Sequence, residues 1–331
     1  MSTPTDTDAA AGLVTVDAVR EAARLIRGSV RVTPVVQAPV PGGWDHLRLK
    51  CENLQVSGSF KARGACHFLA RLDAPLRSRG VITYSSGNHG QALAYAARAH
   101  GIPCVVVMPT TAPPVKVEGA RALGAEVHFA GTTTIHRQEA ATRIAAERGL
   151  TMVPPFDHPH IIEGQGTAAL EVLEQQPDLD AIYIPVGGGG LVSGIAAVMR
   201  RLRPHARIVG AEPAGAPKMT RSLQAGAPVT LDRVASIADG LLAVRPGDLT
   251  FAHVRAFVDQ VVTVDDDELR AAMRWLALDA KIVVEPSGAA AVAAAMRLAP
   301  SGTPGIHVAV ISGGNVDPAR LREAISPDGR S

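Results

Sequence analysis

The stretch "GVITYSSGNHGQALAYAARAHGIPCVVVMP", residues 80–109, places two short apolar runs on either side of a segment with helical composition. The runs "GVITYS" (80–85) and "PCVVVMP" (103–109) are rich in β-branched residues. The segment "GQALAYAARAHG" (90–101) between them is rich in alanine and ends in glycine. Apolar strands that alternate with helices indicate a parallel sheet covered on both faces.

The same alternation continues along the chain. Further strands are predicted at "AEVHFA" (125–130), "AIYIPV" (181–186), "ARIVGAE" (206–212) and "IHVAVIS" (306–312). The unit 80–155 is self-contained, so we predict that it is an inserted small domain. Segments 13–79 and 156–331 would together build a large domain, and 1–12 a disordered tail. Each domain would have a mostly parallel twisted sheet flanked by helices, with the ligand in the cleft between them.

Composition excludes several classes of protein. The 331 residues are 47% hydrophobic and 19% charged, with a net charge of +2. This is a globular composition without a basic cluster for nucleic acid or an apolar run for a membrane. We see no signal peptide and expect a cytoplasmic protein. Because Cys51, Cys66 and Cys104 lack CxxC spacing, we expect buried, reduced thiols.

The loop "PVGGGGLVSG" (185–194) joins a predicted strand to a predicted helix. The four glycines, Gly187, Gly188, Gly189 and Gly190, let the backbone approach an anion closely at a helix N-terminus. No Walker lysine follows, and Ser193 breaks the GxGxxG pattern, although Glu212 ends the next strand where a ribose-binding acid would lie. The loop favours phosphate binding, and a merely tight turn stays open.

Other loops carry glycine beside polar side chains. "SSGNHG" (85–90) would suit a carboxylate, although Ser86 or Asn88 could simply cap the helix. "ISGGN" (311–315) ends the last strand, while "EGQGT" (163–167) and "EPSG" (285–288) are each predicted to open a helix. With "PVGGGGLVSG", this makes five such loops, which indicate one extended ligand surrounded by strand ends.

The segment "NLQVSGSFKARGA" (53–65) contains Lys61, one of only five lysines in the chain. Lys61 is predicted in the first turn of a helix, where the helix dipole disfavours a cation. The dipole and partial burial would lower the pKa of its amine and make it a nucleophile for an aldehyde. From this segment alone, an ordinary surface lysine remains an equal reading.

Together these motifs resemble a known family. "ENLQVSGSFKARGA" resembles the cofactor-lysine segment of pyridoxal-phosphate enzymes of the tryptophan-synthase β fold. "SSGNHGQALAYAA", "GQGTAALEVLEQ", "PVGGGGLVSGIA", "IADG", "EPSGA" and "ISGGNVD" resemble, in order, the serine/threonine dehydratase and serine racemase branch, over roughly residues 20 to 317. The resemblance implies pyridoxal 5'-phosphate as cofactor.

The resemblance also implies residue roles. Lys61 would bind the cofactor aldehyde as a Schiff base, with Phe60 and Glu285 near the ring. Asn88 would bond the phenolic oxygen, Ser312 the pyridine nitrogen, and Gly187 to Gly190 the phosphate. The substrate carboxylate would be received by Ser85, Ser86, Asn88 and His89. In racemases a serine at the position of Ser86 protonates the face opposite the lysine, so racemisation stays open.

Two positions depart from the racemase pattern, and a third matches it ambiguously. The racemase-like metal site would use Glu212, the carbonyl of Ala216 and an acid at the position where this chain has Lys218. We therefore predict no metal there, and pairing of Lys218 with Glu212 instead. Ala243 replaces a pocket serine, and with Leu241 and Leu242 before it the pocket is expected to be apolar. Arg137 aligns with a racemase pocket arginine, although a solvated helix arginine is an equal reading.

The sequence as a whole predicts a lyase. It would eliminate water from L-threonine or L-serine through an aminoacrylate, giving a 2-oxo acid and ammonia. The alternatives are a serine-type racemase, a dehydratase of a bulkier β-hydroxy amino acid, and a nucleotide-binding module in which Lys61 has no chemistry. We expect a homodimer whose partner is a small amino acid, with no nucleic acid and no membrane.

Overall fold

The computed structural model describes residues 12–37, 44–85, 87–112, 114–132 and 134–326. The predicted tail lies outside these residues except for Gly12, and so does Ser86. The strands are β1 Val35–Gln37, β2 Leu47–Cys51, β3 Val81–Tyr84, β4 Cys104–Met108, β5 Glu126–Phe129, β6 Thr151–Met152, β7 Ala181–Pro185, β8 Arg207–Pro213, β9 Gln260–Val264 and β10 His307–Ile311.

The helices alternate with these strands, as the sequence predicted. They are α1 Val16–Leu25, α2 Lys61–Ala70, α3 Ala74–Arg79, α4 Asn88–Ala99, α5 Pro114–Ala122, α6 Thr134–Arg148, α7 Pro159–Gln175, α8 Gly190–Leu202, α9 Lys218–Ala225, α10 Asp248–Phe257, α11 Asp266–Leu278, α12 Pro286–Leu298 and α13 Pro318–Ile325. Short 3-10 turns lie at Glu52–Leu54 and Asp239–Leu241.

The larger sheet has six strands in the order β1-β2-β10-β7-β8-β9. Only the β1–β2 pair is antiparallel. Alternate residues of its strands enter two separate core clusters, Ala181 and Tyr183 in one, Ile182 and Ile184 in the other. Helices therefore cover both faces, which explains why the strands read as continuous apolar runs.

The smaller sheet has four parallel strands in the order β5-β4-β3-β6, all drawn from the middle of the chain. This is an α/β chain with two regions of parallel sheet. One core cluster of the smaller sheet joins Val81 and Val106 to Ala65 and Leu69 of α2. Helix α2 thus packs on a sheet whose first strand, β3, follows the end of the helix after ten intervening residues. The exact domain boundaries at 80 and 155 stay a prediction.

Local sequence signals set some helix starts. The pattern "DDDE" (265–268) predicts a capping box, which Asp265 and Glu268 form at the start of α11. Glu285 is the N-cap residue of α12, although its side chain makes no capping hydrogen bond. The prediction that "EGQGT" opens a helix was wrong, because α7 already begins at Pro159, with His158 as N-cap. The glycines serve packing instead: a Cβ on Gly164 would lie 2.6 Å from the Cα of Gly64 in α2.

A buried ionic cluster holds α2 in place. The Arg63 guanidinium is fully buried and makes two hydrogen bonds to Glu52, each of 2.7 Å. It makes two more to Glu171 of α7, of 2.6 and 2.8 Å. Lys50 also donates to Glu171, at 2.5 Å. Because a bidentate guanidinium fixes orientation as well as distance, this cluster fixes the helix that begins with Lys61.

Two expectations from composition can be examined in the structure. Cys51, Cys66 and Cys104 are buried and unpaired, and burial raises the pKa of each thiol to about 12. These are inert core thiols, as predicted. Within the described ranges, no helix combines the length and the apolar character needed to cross a membrane.

Candidate active site

Lys61 is the first residue of α2, the position that the sequence predicted. Its Nζ donates a hydrogen bond of 2.6 Å to the carbonyl oxygen of Pro155 and lies 5.1 Å from the centroid of the Phe60 ring. Loss of hydration lowers the pKa of its ammonium to about 8. Near neutral pH, Lys61 is therefore still mostly protonated, but a far larger fraction of it is the neutral amine that a nucleophile requires than in an exposed lysine.

The glycine loop follows β7 and leads into α8. Gly189 is its N-cap, with a φ of 104° that side-chain-bearing residues rarely adopt. A Cβ on Gly188 would lie 2.3 Å from the Phe156 ring, and one on Gly189 would lie 2.7 Å from the Thr250 side chain. Within the described part of the chain, no group accepts a hydrogen bond from the four glycine N–H groups. The loop therefore presents free donors to an anion.

Neighbouring segments brace this loop. The Thr250 hydroxyl donates to the Gly188 carbonyl at 2.7 Å. The Asp157 carboxylate accepts hydrogen bonds from the N–H groups of Asp248 and Thr250, both at 3.1 Å. Sequence reasoning missed Pro155, Asp157 and Thr250. The only available signal was the turn-forming "PPFD" (154–157), which does not say what it contacts.

Ser85, Asn88 and His89 lie in and just after the loop that follows β3. Gly87 is the N-cap of α4 and no described side chain caps this helix, so Asn88 is not its cap, while the Ser86 alternative lies outside the described residues. The Ser85 hydroxyl accepts from the Gly87 N–H at 3.3 Å. The Asn88 amide donates to Glu285 at 2.6 Å and accepts from Asn315 at 2.8 Å. Asn315, which the sequence analysis did not single out, thus orients the Asn88 side chain.

His89 is buried and neutral. Its Nε2 lies 3.2 Å from the Val153 carbonyl oxygen, which makes this nitrogen the donor. Its Nδ1 is buried without a partner among the described residues. Burial, with a smaller contribution from the Lys61 charge, lowers the pKa of the imidazole to about 3. His89 therefore does not offer a positive charge to a carboxylate.

Glu285 lies at the start of α12, and Ser312 lies just after β10. Burial, and secondarily repulsion by Asp239, raises the pKa of Glu285 to about 8, so its carboxyl is mostly protonated at neutral pH. Among the described residues, the buried Ser312 hydroxyl has only a long hydrogen bond, 3.5 Å to the Ser287 carbonyl oxygen. It remains available to another partner.

Several of these groups lie where strands of the two sheets end. The loops after β3, β7 and β10 carry Ser85, the glycines and Ser312. The carboxyl ends of parallel strands are the usual ligand site of an α/β sheet. An amine of lowered pKa, a nest of free N–H groups and a neutral buried hydroxyl are the groups needed to hold an aldehyde that also carries a phosphate.

Comparison with known proteins agrees with this geometry. A family model described as "Pyridoxal-phosphate dependent enzyme" matches residues 26–313. The chain belongs to the pyridoxal-phosphate-dependent enzymes. It is 40% identical to an L-threonine ammonia-lyase of Thermotoga maritima, over 92% of this chain and 76% of the relative. It is 41% identical to a serine racemase of Arabidopsis thaliana, over 90% of this chain and 92% of the relative.

The structure of maize serine racemase superimposes with a TM-score of 0.87 at 38% identity, covering 94% of this chain and 97% of that one. These findings confirm the resemblance, the fold and the cofactor. The individual roles of Lys61, Phe60, Asn88, Glu285, Ser312, Ser85, Ser86, His89 and the four glycines stay predictions.

The residues of this pyridoxal-phosphate-dependent enzyme fit its cofactor. The four free N–H groups of the loop from Gly187 to Gly190 match a phosphate. Lys61 would supply the amine, and Ser312 would supply a neutral hydroxyl for a ring nitrogen. When bound, the cofactor withdraws electrons from the α-carbon of an amino acid. A serine partner would leave the ring nitrogen without a charge-stabilising acid.

The departures from the racemase pattern are also visible. Lys218 Nζ lies 3.3 Å from a Glu212 oxygen, as predicted. Leu241, expected in the pocket, is buried in the core cluster of the larger sheet, whereas Leu242 and Ala243 are partly exposed. Arg137 is half-buried rather than solvated, donates to Thr134 at 2.9 Å and keeps a buried Nε unpartnered among the described residues.

Elsewhere, His67, His160 and Glu163 place one ligand atom each within 4.8 Å of the others. These groups already bond one another: Glu163 lies 3.0 Å from His160 Nδ1, and His67 Nδ1 lies 2.8 Å from the His160 carbonyl. Hydrogen bonding explains this cluster without a metal.

Proposed function

We propose that this protein is an ammonia-lyase that converts L-threonine and L-serine to a 2-oxo acid and ammonia. The observation that carries the proposal is that the same candidate site contains a lysine of lowered pKa, Lys61, and a neutral hydroxyl group, that of Ser312. Lys61 has a pKa of about 8 and can take a proton from the substrate α-carbon. The neutral Ser312 hydroxyl favours loss of the β-hydroxyl soon after deprotonation over a long-lived carbanion.

The remaining site residues position the substrate. The backbone N–H groups at the start of α4, with Ser85 and the Asn88 amide, suit its carboxylate. The buried, protonated Glu285 offers a hydrogen-bond donor without a competing negative charge. Leu242 and Ala243 present little polarity to the β-substituent, which supports the methyl group of threonine over a second carboxylate.

The test is a substrate screen with both products quantified. We expect equimolar 2-oxo acid and ammonia from L-threonine and L-serine, and far less from β-aryl or β-carboxyl serines. A preference for a bulkier β-hydroxy amino acid would replace the proposed substrate and keep the reaction. No ammonia from any β-hydroxy amino acid would overturn the lyase.

A serine-type racemase is the second candidate, because a serine racemase is as similar in sequence as the threonine ammonia-lyase. Chiral analysis of the serine left after partial turnover of L-serine distinguishes the two. We expect little D-serine. If D-serine forms, and Ser86→Ala removes it while ammonia release persists, both activities share one site.

We also propose that the protein is a homodimer in the cytoplasm and that it has no nucleic-acid or membrane partner. These properties are checked by analytical ultracentrifugation of the purified holoenzyme and by fractionation of the cell.

A further inference from the structure

Lys218 is a lysine for which the proposed reaction has no use. It is the first residue of α9, and its side chain is completely buried. A buried ammonium is costly unless oxygen atoms replace its lost water. A cation at the N-terminus of a helix is disfavoured as well. Because both its burial and its position in the helix are unfavourable for a charged lysine, Lys218 needs a specific explanation.

Three oxygen atoms surround the ammonium. Nζ donates to the carbonyl oxygens of Val186 at 2.8 Å and Leu241 at 3.0 Å. The third oxygen belongs to Glu212, at 3.3 Å, and Glu212 is also completely buried. The carboxylate itself accepts from the N–H groups of Met219 at 3.0 Å and Thr220 at 2.7 Å. The three N–H bonds of the ammonium are therefore matched by three acceptors.

These acceptors belong to segments that border the cofactor site. Val186 immediately precedes the glycine loop, and Leu241 ends the 3-10 turn Asp239–Leu241. The turn touches the loop, because a Cβ on Gly187 would lie 3.2 Å from the Gly240 carbonyl oxygen. The Gly240 N–H in turn donates to Ser287 at 2.9 Å. One ammonium thus joins the phosphate loop to the turn beside it.

The arrangement also conflicts with a metal ion at this place. Two carbonyls and a carboxylate are hard oxygen ligands of the kind that bind Mg²⁺ or Ca²⁺. Here Lys218 Nζ already lies within 3.3 Å of all three oxygen donors. A divalent ion bonded to the same oxygens would overlap the ammonium and repel its charge. The metal site implied by the resemblance to racemases shares Glu212 with this cluster, but Lys218 replaces its acid and puts a positive charge 3.3 Å from Glu212, so that site does not fit these residues either.

We propose that Lys218 is a built-in cation that positions the phosphate loop, so that this enzyme holds its cofactor without the metal ion such a site would otherwise take. Lys218 acts through Val186 and Leu241 and touches neither cofactor nor substrate. The proposal concerns cofactor retention and applies to the lyase and the racemase alike, so its failure is distinguishable from failure of the proposed reaction.

The first test uses the wild-type holoenzyme. Its cofactor absorbance and its melting temperature should be unchanged after prolonged dialysis against EDTA, and unchanged again on addition of millimolar Mg²⁺ or Ca²⁺. A loss of cofactor or of melting temperature with EDTA that Mg²⁺ reverses would overturn the proposal. This measurement does not depend on any variant being able to fold.

The second test removes the charge. Lys218→Ala should weaken pyridoxal 5'-phosphate binding about 10- to 100-fold, the usual effect of losing a charged hydrogen bond. It should also open an oxygen-lined space. Methylammonium or Mg²⁺ should then restore most of the affinity, which fluorescence titration of the apoprotein measures.

Two further variants serve as controls. Lys218→Met fills the space with an apolar chain, so it should lose affinity like Lys218→Ala without any rescue by cations. Lys281→Ala removes an exposed lysine far along the chain and should leave the affinity unchanged. Wild-type affinity in Lys218→Met, or an absence of rescue in a folded Lys218→Ala, would show that the charge has no positioning role.

Discussion

At the scale of single residues, burial rather than sequence neighbours sets the reactivity of this site. Lys61 and Lys218 both have a pKa lowered to about 8, chiefly by loss of hydration. Lys218 is matched by three acceptors, whereas Lys61 has only the Pro155 carbonyl among the described residues. The same titration shift therefore accompanies a structural cation in one place and an available nucleophile in the other.

The lowered pKa of Lys61 predicts how cofactor capture depends on pH. Below pH 8 the amine of the apoprotein is mostly protonated, and above it mostly neutral, so the rate of binding should rise through about pH 8. Stopped-flow absorbance after mixing apoprotein with pyridoxal 5'-phosphate measures this rate. Nα-acetyl-lysine is the matched control, because its free side-chain amine has a pKa near 10.4. A rate that is flat, or that follows the free amine, would contradict the assignment.

The glycine loop predicts a second effect at this scale. Gly189→Ala places a methyl group 2.7 Å from Thr250 on a backbone with a φ of 104°. We expect at least about a tenfold loss of cofactor affinity, since the loop must move to relieve the clash. Gly226→Ala is the matched control, because Gly226 has a φ of 72° but no atom within 4 Å of a Cβ. Equal affinities in the two variants would mean that the loop does not bind phosphate.

At the scale of elements, the sequence predicted what local patterns determine. Six of the eight strands after residue 80 were found to within two residues, because strands buried on both faces are continuous apolar runs. The two-residue β6 and the mostly half-buried β9 were missed, because neither is such a run. The capping box at Asp265 was found because both of its partners lie within four residues. "EGQGT" was misplaced because close helix crossing, at Gly164 and Gly64, needs glycine as much as a loop does. Only long-range packing distinguishes the two.

Helix α2 gives the prediction for this scale. Arg63 connects it to Glu52 through two buried hydrogen bonds and to Glu171 through two partly buried ones. Arg63→Met leaves two carboxylates without their main partner, so we expect a loss of about 3–5 kcal/mol in the free energy of unfolding. Urea denaturation measures this loss. Arg24→Met, which breaks an exposed pair with Glu21, should change little. Equal effects would show that the buried cluster does not stabilise the helix.

At the scale of the whole molecule, polar contacts link helices of the smaller sheet to segments beside the larger sheet. Asn88 of α4 donates to Glu285 of α12 at 2.6 Å, and Lys116 of α5 pairs with Asp239 at 2.7 Å. No local pattern encodes such pairs, so the contacts of Asn315 with Asn88 and of Pro155 with Lys61 could not be found from the sequence. The order of the loops, by contrast, was sufficient to predict a site enclosed by strand ends.

The central claim is that Lys61 binds the cofactor covalently. The direct measurement is borohydride reduction of the holoenzyme, followed by proteolysis and mass spectrometry of the peptides. We predict one pyridoxyl group, on the peptide that contains Lys61, and none after the same treatment of Lys61→Ala. Modification of Lys218 or Lys116 instead, or no modification of a protein that still retains its absorbance, would contradict the account.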